Sequence, residues 1–385
     1  MRMKESIYIT TANVGYGTGG GDVAYNEVKA LQRFTHLKAI FCGSFQVGEH
    51  EDNVNGQVFG DAKLDVINPD VFWKSAPPFM WDYLASAKMA REFERFGDRN
   101  LPDILHIYGN PFGMLVGTIR AMEATKLEYG GQGCRVIVTV PAHDLEESIR
   151  EFERFGQKYP WNHMTDPYLW SLYTEHIRLA DAIVFPSNYS KNYLSRKMGL
   201  REDRQTLKVI PHGHNPPEKV EDFPQTFTVG CLGQNGYDKG QYYLVQAWNL
   251  FIRRNPTPKA DIKLAGAGTE LWGGLGYVAR ASDVYNGCSV FVQPSVTEGF
   301  GLPVLEAMGH GRPIIVTETT GASELVENGK EGFVIPARDP EAIANKIGYF
   351  YEHPDEVLRM GKNAREKSMK YTWEKMYELY GELYR

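Results

Sequence analysis

The 385-residue chain has 42 Lys and Arg against 48 Asp and Glu, and its net charge of −6 argues against a large nucleic-acid-binding surface. Its hydrophobic content of 42% is typical of a globular protein, and the length suits two domains with separate cores. No apolar run has the length of a signal peptide or a bilayer-spanning helix, and the 4 Cys are widely spaced. We therefore expect reduced thiols and a cytoplasmic location.

In the first half of the chain, short runs rich in β-branched residues alternate with helical stretches. We predict strands at Ser6–Thr11, Leu37–Cys42, Ile104–Ile107, Val136–Val140, Ala182–Phe185 and Lys208–Ile210. Helices are predicted at Asp22–Phe34 and Ala85–Phe96. This alternation favours a parallel sheet covered by helices.

A segment rich in proline and charge, Asn215–Pro224, is typical of a linker. A second alternation follows it. Strands are predicted at Phe227–Leu232, Asp261–Ala265, Val290–Gln293, Pro313–Thr317 and Gly332–Ile335. Helices are predicted at Gln241–Arg254, Val304–Gly309, Ser323–Asn328, Pro340–His353, Pro354–Tyr371 and Trp373–Arg385.

Seven residues separate Glu298 from Glu306 in the most informative run of the chain. Glu298 follows an apolar strand, and Glu306 lies in the first turn of the next helix, so both face the crevice where open α/β sheets bind ligands. Pro303 suits the first helical position, and the free N–H groups of that turn favour an anion. Two carboxylates that can bind diols beside an anion site fit a sugar nucleotide. The alternative is an ordinary turn in which a glutamate only complements the helix dipole.

A glycine-rich segment follows the first predicted strand and contains G-x-G-x-x-G at Gly15, Gly17 and Gly20. The literal interpretation is a dinucleotide fold. That fold needs an acidic residue at the end of the second strand to bind a ribose, and none is present there, so NAD binding is a distant alternative. The glycines instead allow backbone N–H groups to approach phosphate or sugar oxygens at the positive end of a helix.

Polar residues also follow other predicted strands. His143 comes just after one strand, and Lys239 lies in a glycine-rich loop after another, where it can act as a point charge on phosphate. His106, Tyr108 and Asn110 are candidates for lining the cleft and binding an acceptor. Each has an ordinary structural alternative, as a core residue or a solvated loop residue.

The aromatic run Val71–Tyr83 has three interpretations that the sequence does not separate. It fits an acceptor platform, a membrane-contacting patch or local core.

These residues resemble a known family. The run Glu298–Met308 resembles the E-x7-E signature of the retaining GT-B glycosyltransferases of family four, and the likeness extends over nearly the whole chain. It is strongest between about Leu179 and Pro336. Further matching segments are Ala180–Ser187, Val209–Gly213, Gly311–Ile315, Gly321–Gly329, Glu331–Phe333 and Tyr371–Glu374.

The resemblance implies an α/β protein of the GT-B fold, with two Rossmann-like doubly wound domains facing a central cleft. Residues 1–215 would form the acceptor-binding domain and residues 216–368 the nucleotide-sugar donor domain. Residues 369–385 would form a helix that returns to the first domain.

The resemblance also implies roles for individual residues. Glu298 would bind hydroxyls of the transferred sugar, Glu306 would hold the ribose diol, and Lys239 would neutralise the diphosphate. His143 would lie near the reactive face of the sugar. The further donor-binding candidates are Gly19, Gly20, Gly21, Gly233, Gln234, Phe300, Gly301, Leu302 and Val304.

Two departures from the family pattern concern donor binding. Gly233 and Gln234 stand where the family usually has an arginine, so one positive charge at the leaving group is missing or comes from elsewhere. The stretch between Ala265–Gly268 and Leu275–Val278 is shorter than usual near the base pocket, so base selectivity cannot be copied from relatives.

We therefore expect a retaining hexosyltransferase that uses a nucleotide-diphosphate sugar, with UDP-sugars first and GDP-mannose second. The acceptor would be a glycan, a lipid-linked molecule or a small molecule, and no obligatory metal is expected. Peripheral contact with a membrane and the oligomeric state stay open. The alternatives are a nucleotide-sugar epimerase or hydrolase on the same fold and a non-catalytic sugar-nucleotide binding protein. A two-carboxylate glycosidase is less favoured, because its acid and base must flank one bond.

Overall fold

The computed structural model describes residues 3–10, 13–14, 19–42, 44–45, 63–66, 102–109, 133–140, 144–159, 167–233, 236–256, 258–266, 268–276, 278 and 280–385. In these ranges the chain forms two parallel sheets that are covered by helices. A pair of two-residue strands, β2 (Asn13–Val14) and β4 (Ser44–Phe45), lies apart from both.

The first sheet has seven strands in the order β5-β3-β1-β6-β7-β8-β9. Its strands are β1 (Glu5–Thr10), β3 (His36–Cys42), β5 (Lys63–Val66), β6 (Ile104–Tyr108), β7 (Arg135–Thr139), β8 (Ala182–Phe185) and β9 (Thr206–Val209). The helices of this part are α1 (Gly19–Phe34), α2 (Leu145–Arg154), α3 (Pro167–Ile177) and α4 (Asn188–Met198).

The second sheet has five strands in the order β11-β10-β12-β13-β14. Its strands are β10 (Phe227–Leu232), β11 (Ala260–Ala265), β12 (Val290–Gln293), β13 (Ile314–Thr317) and β14 (Gly332–Ile335). Helices follow at α5 (Gln241–Arg254), α6 (Ala281–Asn286), α7 (Leu302–Gly309), α8 (Pro340–Glu352), α9 (Pro354–Ser368) and α10 (Trp373–Tyr384). Short 3-10 turns lie at Tyr237–Lys239, Thr269–Trp272 and Gly321–Leu325.

Central strands are apolar on both faces because helices cover both sides of a parallel sheet. In β6 every residue is buried: Ile104 and Tyr108 face a core that includes α1 and α10, and Leu105 and Ile107 face the opposite core. Helix α10 therefore packs on the first sheet, although it comes last in the chain.

The predicted strands agree with the observed ones to within two residues at each end, as expected for positions where pairing frays. Three helices of the first half, α2, α3 and α4, were not predicted. The stretch predicted as helix Ser323–Asn328 is a 3-10 turn at Gly321–Leu325 followed by extended Val326. The predicted helix Ala85–Phe96 and the aromatic run Val71–Tyr83 lie outside the described residues.

The architecture confirms the predicted fold class of two parallel-sheet α/β domains. In the described part of the chain, every helix is too short or too polar to cross a bilayer.

Candidate active site

Lys239 lies on the 3-10 turn after β10, at the carboxyl end of the second sheet. The next residue, Gly240, has φ of 69°, and a Cβ there would lie 1.9 Å from the carbonyl oxygen of Pro294. Only glycine therefore lets this turn approach the loop that follows β12. The close approach brings the Lys239 ammonium into an ion pair with the Glu298 carboxylate.

The Lys239–Glu298 pair faces the cleft, with 28% of the lysine side chain and 22% of the glutamate side chain exposed. Burial lowers the pKa of Lys239, but the carboxylates of Glu298 and Asp238 outweigh burial and raise that pKa above its ordinary value. Lys239 is therefore a permanent positive charge that a ligand can reach.

The loop from Glu298 to helix α7 holds a row of backbone donors. The Glu298 N–H donates to Thr319 (3.3 Å), and its carbonyl accepts from the Gly321 N–H (2.9 Å), so the loop is fixed at its base. Gly301 has a left-handed φ of 96° and leads into the helix. The N–H groups of Phe300, Gly301 and Leu302 have no acceptor among the described residues.

These three donors, at the positive end of α7, are suited to an anionic oxygen. The Val304 N–H, expected to be a further donor, instead donates to the Gly301 carbonyl (3.0 Å).

Glu306 lies one turn further along α7 and accepts a hydrogen bond from the Tyr285 hydroxyl (2.5 Å). Burial raises the pKa of Glu306, and the bond from Tyr285 only partly offsets this effect. Beside the carboxylate is a cavity of about 230 Å³. Its walls come from both halves of the chain and are formed by Asn26, His214, Asn215, Ala281, Ser282, Tyr285, Leu302, Glu306, His310 and Trp373.

The first domain contacts this loop directly. The hydroxyls of Ser187 and Ser190 both donate to the Gly299 carbonyl, at 2.6 and 3.0 Å. The Glu324 carboxylate, from the second domain, accepts the backbone N–H groups of Asn188 (3.1 Å) and Tyr189 (2.7 Å) at the start of α4. A carboxylate at a helix N-terminus is favourable, so this contact stabilises the two domains facing each other.

The structure places the remaining candidate residues as follows. His143, Asn110 and Gln234 lie outside the described residues. Gly19–Gly21, expected in a loop, form the first turn of α1. The Gly233 N–H donates to Ala265 (2.9 Å), and its carbonyl accepts from the Gln241 side chain (2.9 Å), so both of its backbone groups bond within the second domain.

His106 and Tyr108 are in the interior, which corrects their expected place on the cleft. His106 is 0% exposed, and its ring nitrogens bond the Tyr384 hydroxyl (2.8 Å) and the Thr139 hydroxyl (2.8 Å). The reason is the pleat of β6, because alternate residues face the side that α1 and α10 cover. The sequence showed the strand but not that its polar end would be covered.

Sequence reasoning missed two residues that shape the site, Tyr285 and Asp238. Tyr285 holds Glu306, while the buried Asp238 adjoins Lys239 and accepts a bond from Ser148 of the first domain (3.0 Å). Tyr285 is one of 22 tyrosines and lies on a six-residue helix, so no periodicity distinguishes it. Asp238 was easier to find from the sequence than Tyr285, because it directly precedes Lys239, which was already a candidate.

Both halves of the chain match family models of glycosyltransferases. Residues 17–217 match the family model for Glycosyltransferase Family 4, and residues 226–353 match the model for Glycosyl transferases group 1. The D-inositol 3-phosphate glycosyltransferase of Corynebacterium urealyticum is 28% identical over 180 residues, which are 41% of this chain and 42% of the relative. The lipopolysaccharide core biosynthesis mannosyltransferase LpcC of Rhizobium leguminosarum bv. viciae is 29% identical over 218 residues, 49% of this chain and 59% of the relative. The alignments thus span about half the length of these curated relatives.

Solved structures of similar fold align over the whole chain. Sucrose-phosphate synthase from Thermosynechococcus elongatus has a TM-score of 0.73 at 17% identity and covers 99% of this chain and 98% of its own. Anabaena HepE in complex with UDP and glucose has a TM-score of 0.65 at 15% identity, with 99% of both chains covered. These neighbours share the GT-B fold. Because the Family 4 model matches more than half of this chain, the chain belongs to glycosyltransferase family 4, and it has the GT-B fold.

Proposed function

We propose that the protein transfers a hexosyl group, with retention of anomeric configuration, from a nucleotide-diphosphate sugar to a hydroxyl acceptor. One observation carries the proposal: Lys239 and Glu298 meet in the cleft, beside the N–H groups of Phe300, Gly301 and Leu302, which have no acceptor among the described residues. A sugar nucleotide offers hydroxyls to the carboxylate and a diphosphate to the cation. The donor would therefore separate the pair and bind both partners.

The same groups suit the chemistry of transfer. Negative charge grows on the leaving diphosphate as its bond to the sugar breaks, and Lys239 with the N-terminus of α7 would stabilise it. The acceptor hydroxyl would attack from the face that the diphosphate leaves, and the leaving phosphate would take its proton. His143 is proposed to lie near that face, and Gly19–Gly21 to approach the diphosphate from the first domain.

The cavity beside Glu306 is proposed to receive the nucleoside, with the carboxylate holding the ribose diol. UDP-sugars are our first proposal for the donor, and the HepE complex with UDP and glucose supports a uridine nucleotide on this fold. GDP-mannose is the second, and its support is the mannosyltransferase among the relatives. For the acceptor, the named relatives point to an inositol phosphate or a lipopolysaccharide core.

A positive charge from Lys239 and the helix terminus would act where other transferases use a metal clamp. The proposal therefore includes no obligatory divalent ion. Activity with a purified donor should survive an excess of EDTA, and restoration of lost activity by Mg²⁺ or Mn²⁺ would contradict this part of the proposal.

The decisive experiment is a thermal-shift screen with UDP, GDP, ADP and their glucose and mannose conjugates. A nucleotide at 100 times its dissociation constant should stabilise the protein by about 2.7 kcal/mol. The best donor is then incubated with acceptors, and the anomeric configuration of the product is read by NMR. Consumption of donor at full rate without acceptor would indicate a hydrolase or epimerase, and an inverted product would exclude retention.

A further inference from the structure

Helix α2 of the first domain is clamped by an arginine of the second domain. Arg338 donates through Nε to Glu151 (2.6 Å) and through Nη2 to Glu147. The two glutamates are four residues apart and so lie on one face of α2. Glu151 is fully buried and also accepts from the Tyr243 hydroxyl of the second domain (2.5 Å).

The backbone at Arg338 has an unusual conformation. Its φ of 60° makes it the single non-glycine residue with positive φ in the described part of the chain. A residue with a Cβ is disfavoured there, so tertiary contacts must hold it. The turn between β14 and α8 thereby directs the guanidinium at the two glutamates of α2.

Helix α2 also contacts the turn that carries Lys239. The Ser148 hydroxyl donates to Asp238 (3.0 Å), whose side chain is buried next to the lysine. Just past the helix, the ring of Phe155 stacks on Tyr237 with centroids 4.7 Å apart. Both residues that precede Lys239 in its turn are therefore held by the first domain.

We propose that Arg338, Glu147 and Glu151 form an interdomain clamp that holds α2 on the Lys239 turn and so fixes Lys239 for the donor diphosphate. The three residues are positioning residues, since they act on the ligand through Lys239. The inference rests on the proposed role of Lys239 in donor binding.

The clamp is built to be reversible. Arg150 and Arg154, on α2 itself, also pair with Glu147 and Glu151 respectively. When the domains separate, these arginines still neutralise the two glutamates, so loss of Arg338 does not leave bare carboxylates. Of the arginines that pair with Glu147 and Glu151 in the described part of the chain, Arg338 is the one from the second domain, so its ion pairs depend on closure.

The test compares Arg338→Gln with Arg254→Gln. Arg254 pairs with Glu341 between α5 and α8, so the control removes an Arg–Glu pair that lies within one domain. X-ray scattering reports domain separation without any ligand, and calorimetry with UDP, GDP and their sugars reports binding. We expect Arg338→Gln to increase the radius of gyration and to weaken nucleotide binding about tenfold. In steady-state kinetics the variant should show mainly a higher KM for the donor. The control should match the wild type in radius of gyration, nucleotide affinity and KM.

A charge exchange, Arg338→Glu with Glu147→Arg, should recover part of the lost affinity, which a variant that merely unfolds could not do. Unchanged scattering and affinity in Arg338→Gln would overturn the clamp. If the wild type binds none of the nucleotides, the proposed function fails, while the scattering comparison still decides whether the clamp exists.

Discussion

In the described part of the chain, a cleft cluster and a buried cluster, each built of glutamates with phenolic or basic side chains, differ in what surrounds them. The cleft cluster consists of Lys239, Tyr285, Glu298 and Glu306 and opens onto solvent and a cavity. The buried cluster consists of Tyr8, Glu27, His106, Thr139, Tyr380 and Tyr384 and lies between the first sheet, α1 and α10.

In the buried cluster the polar side chains form hydrogen bonds with one another. Both oxygens of Glu27 accept from tyrosines, Tyr8 at 2.7 Å and Tyr380 at 2.5 Å. Burial raises the pKa of Glu27 to about 7 and lowers that of His106 to about 3. In the cleft cluster the Lys239–Glu298 ion pair is about one quarter exposed, and neighbouring backbone N–H groups have no acceptor among the described residues.

The difference teaches that shifted pKa values alone do not identify a functional site. Glu27 has a pKa raised to about 7, yet its side chain is fully buried, and it fastens the last helix to the first sheet. The cleft cluster differs from the buried cluster in two ways: it has backbone N–H donors without an acceptor among the described residues, and a ligand can reach its side chains. The following predictions test that separation.

The largest expected effect is on activity. Lys239→Ala should lower turnover roughly 100- to 1000-fold, about 3 to 4 kcal/mol, because the leaving diphosphate loses its cation. The melting temperature should change little, since the lysine is partly exposed. Steady-state kinetics beside Lys330→Ala, a surface control, provide the measurement, and near-normal turnover would contradict the assigned role.

Next is a loss of stability without a loss of binding. Glu27→Ala leaves the Tyr8 and Tyr380 hydroxyls without their acceptor in the interior, so unfolding should cost about 2 to 3 kcal/mol less. Urea denaturation measures this, with Glu374→Ala on the exposed face of α10 as the control. Nucleotide affinity of the folded variant should equal that of the wild type; a selective loss of affinity would place Glu27 in the binding machinery.

A smaller effect is expected at the proposed ribose subsite. Glu306→Gln keeps an acceptor for the Tyr285 hydroxyl but removes the charge that would bind the diol, so UDP should bind about tenfold more weakly, or about 1.4 kcal/mol. Calorimetry with Glu341→Gln as the control tests this. Equal affinity in both variants would remove Glu306 from the site.

Measured per pH unit, the smallest effect is the slope of stability with pH. The folded-state pKa of Glu27, about 7, lies above the ordinary 4.5, so its protonated form contributes stability that is complete below pH 4.5 and lost as pH rises through 7. The stability of the wild type relative to Glu27→Gln should therefore fall by about 1 kcal/mol per pH unit between pH 5 and 7 and then level off. Denaturation curves at fixed pH steps measure the difference, and a flat difference would show that Glu27 is ionised in the fold.

The sequence by itself determined most of the second domain. Alternating apolar strands and helices, with Glu298, Pro303 and Glu306 at a strand-to-helix junction, are local patterns with a local physical cause, and the structure retains them. It also placed Lys239 at the carboxyl end of a strand, in the crevice where ligands bind.

Only the tertiary structure decided which polar residues face the cleft. His106 and Lys239 were both predicted to face the cleft because each is a polar residue near the carboxyl end of a predicted strand. Helix α10 covers His106 and leaves Lys239 open, although α10 lies more than 260 residues beyond His106 in the chain. The contact between helix α2 and Arg338 could not be predicted from the sequence either. It joins Arg338 to Glu151 and Glu147, which lie 187 and 191 positions earlier in the chain. Covering and clamping depend on which distant segments pack together, and such packing leaves no periodic signature in either segment.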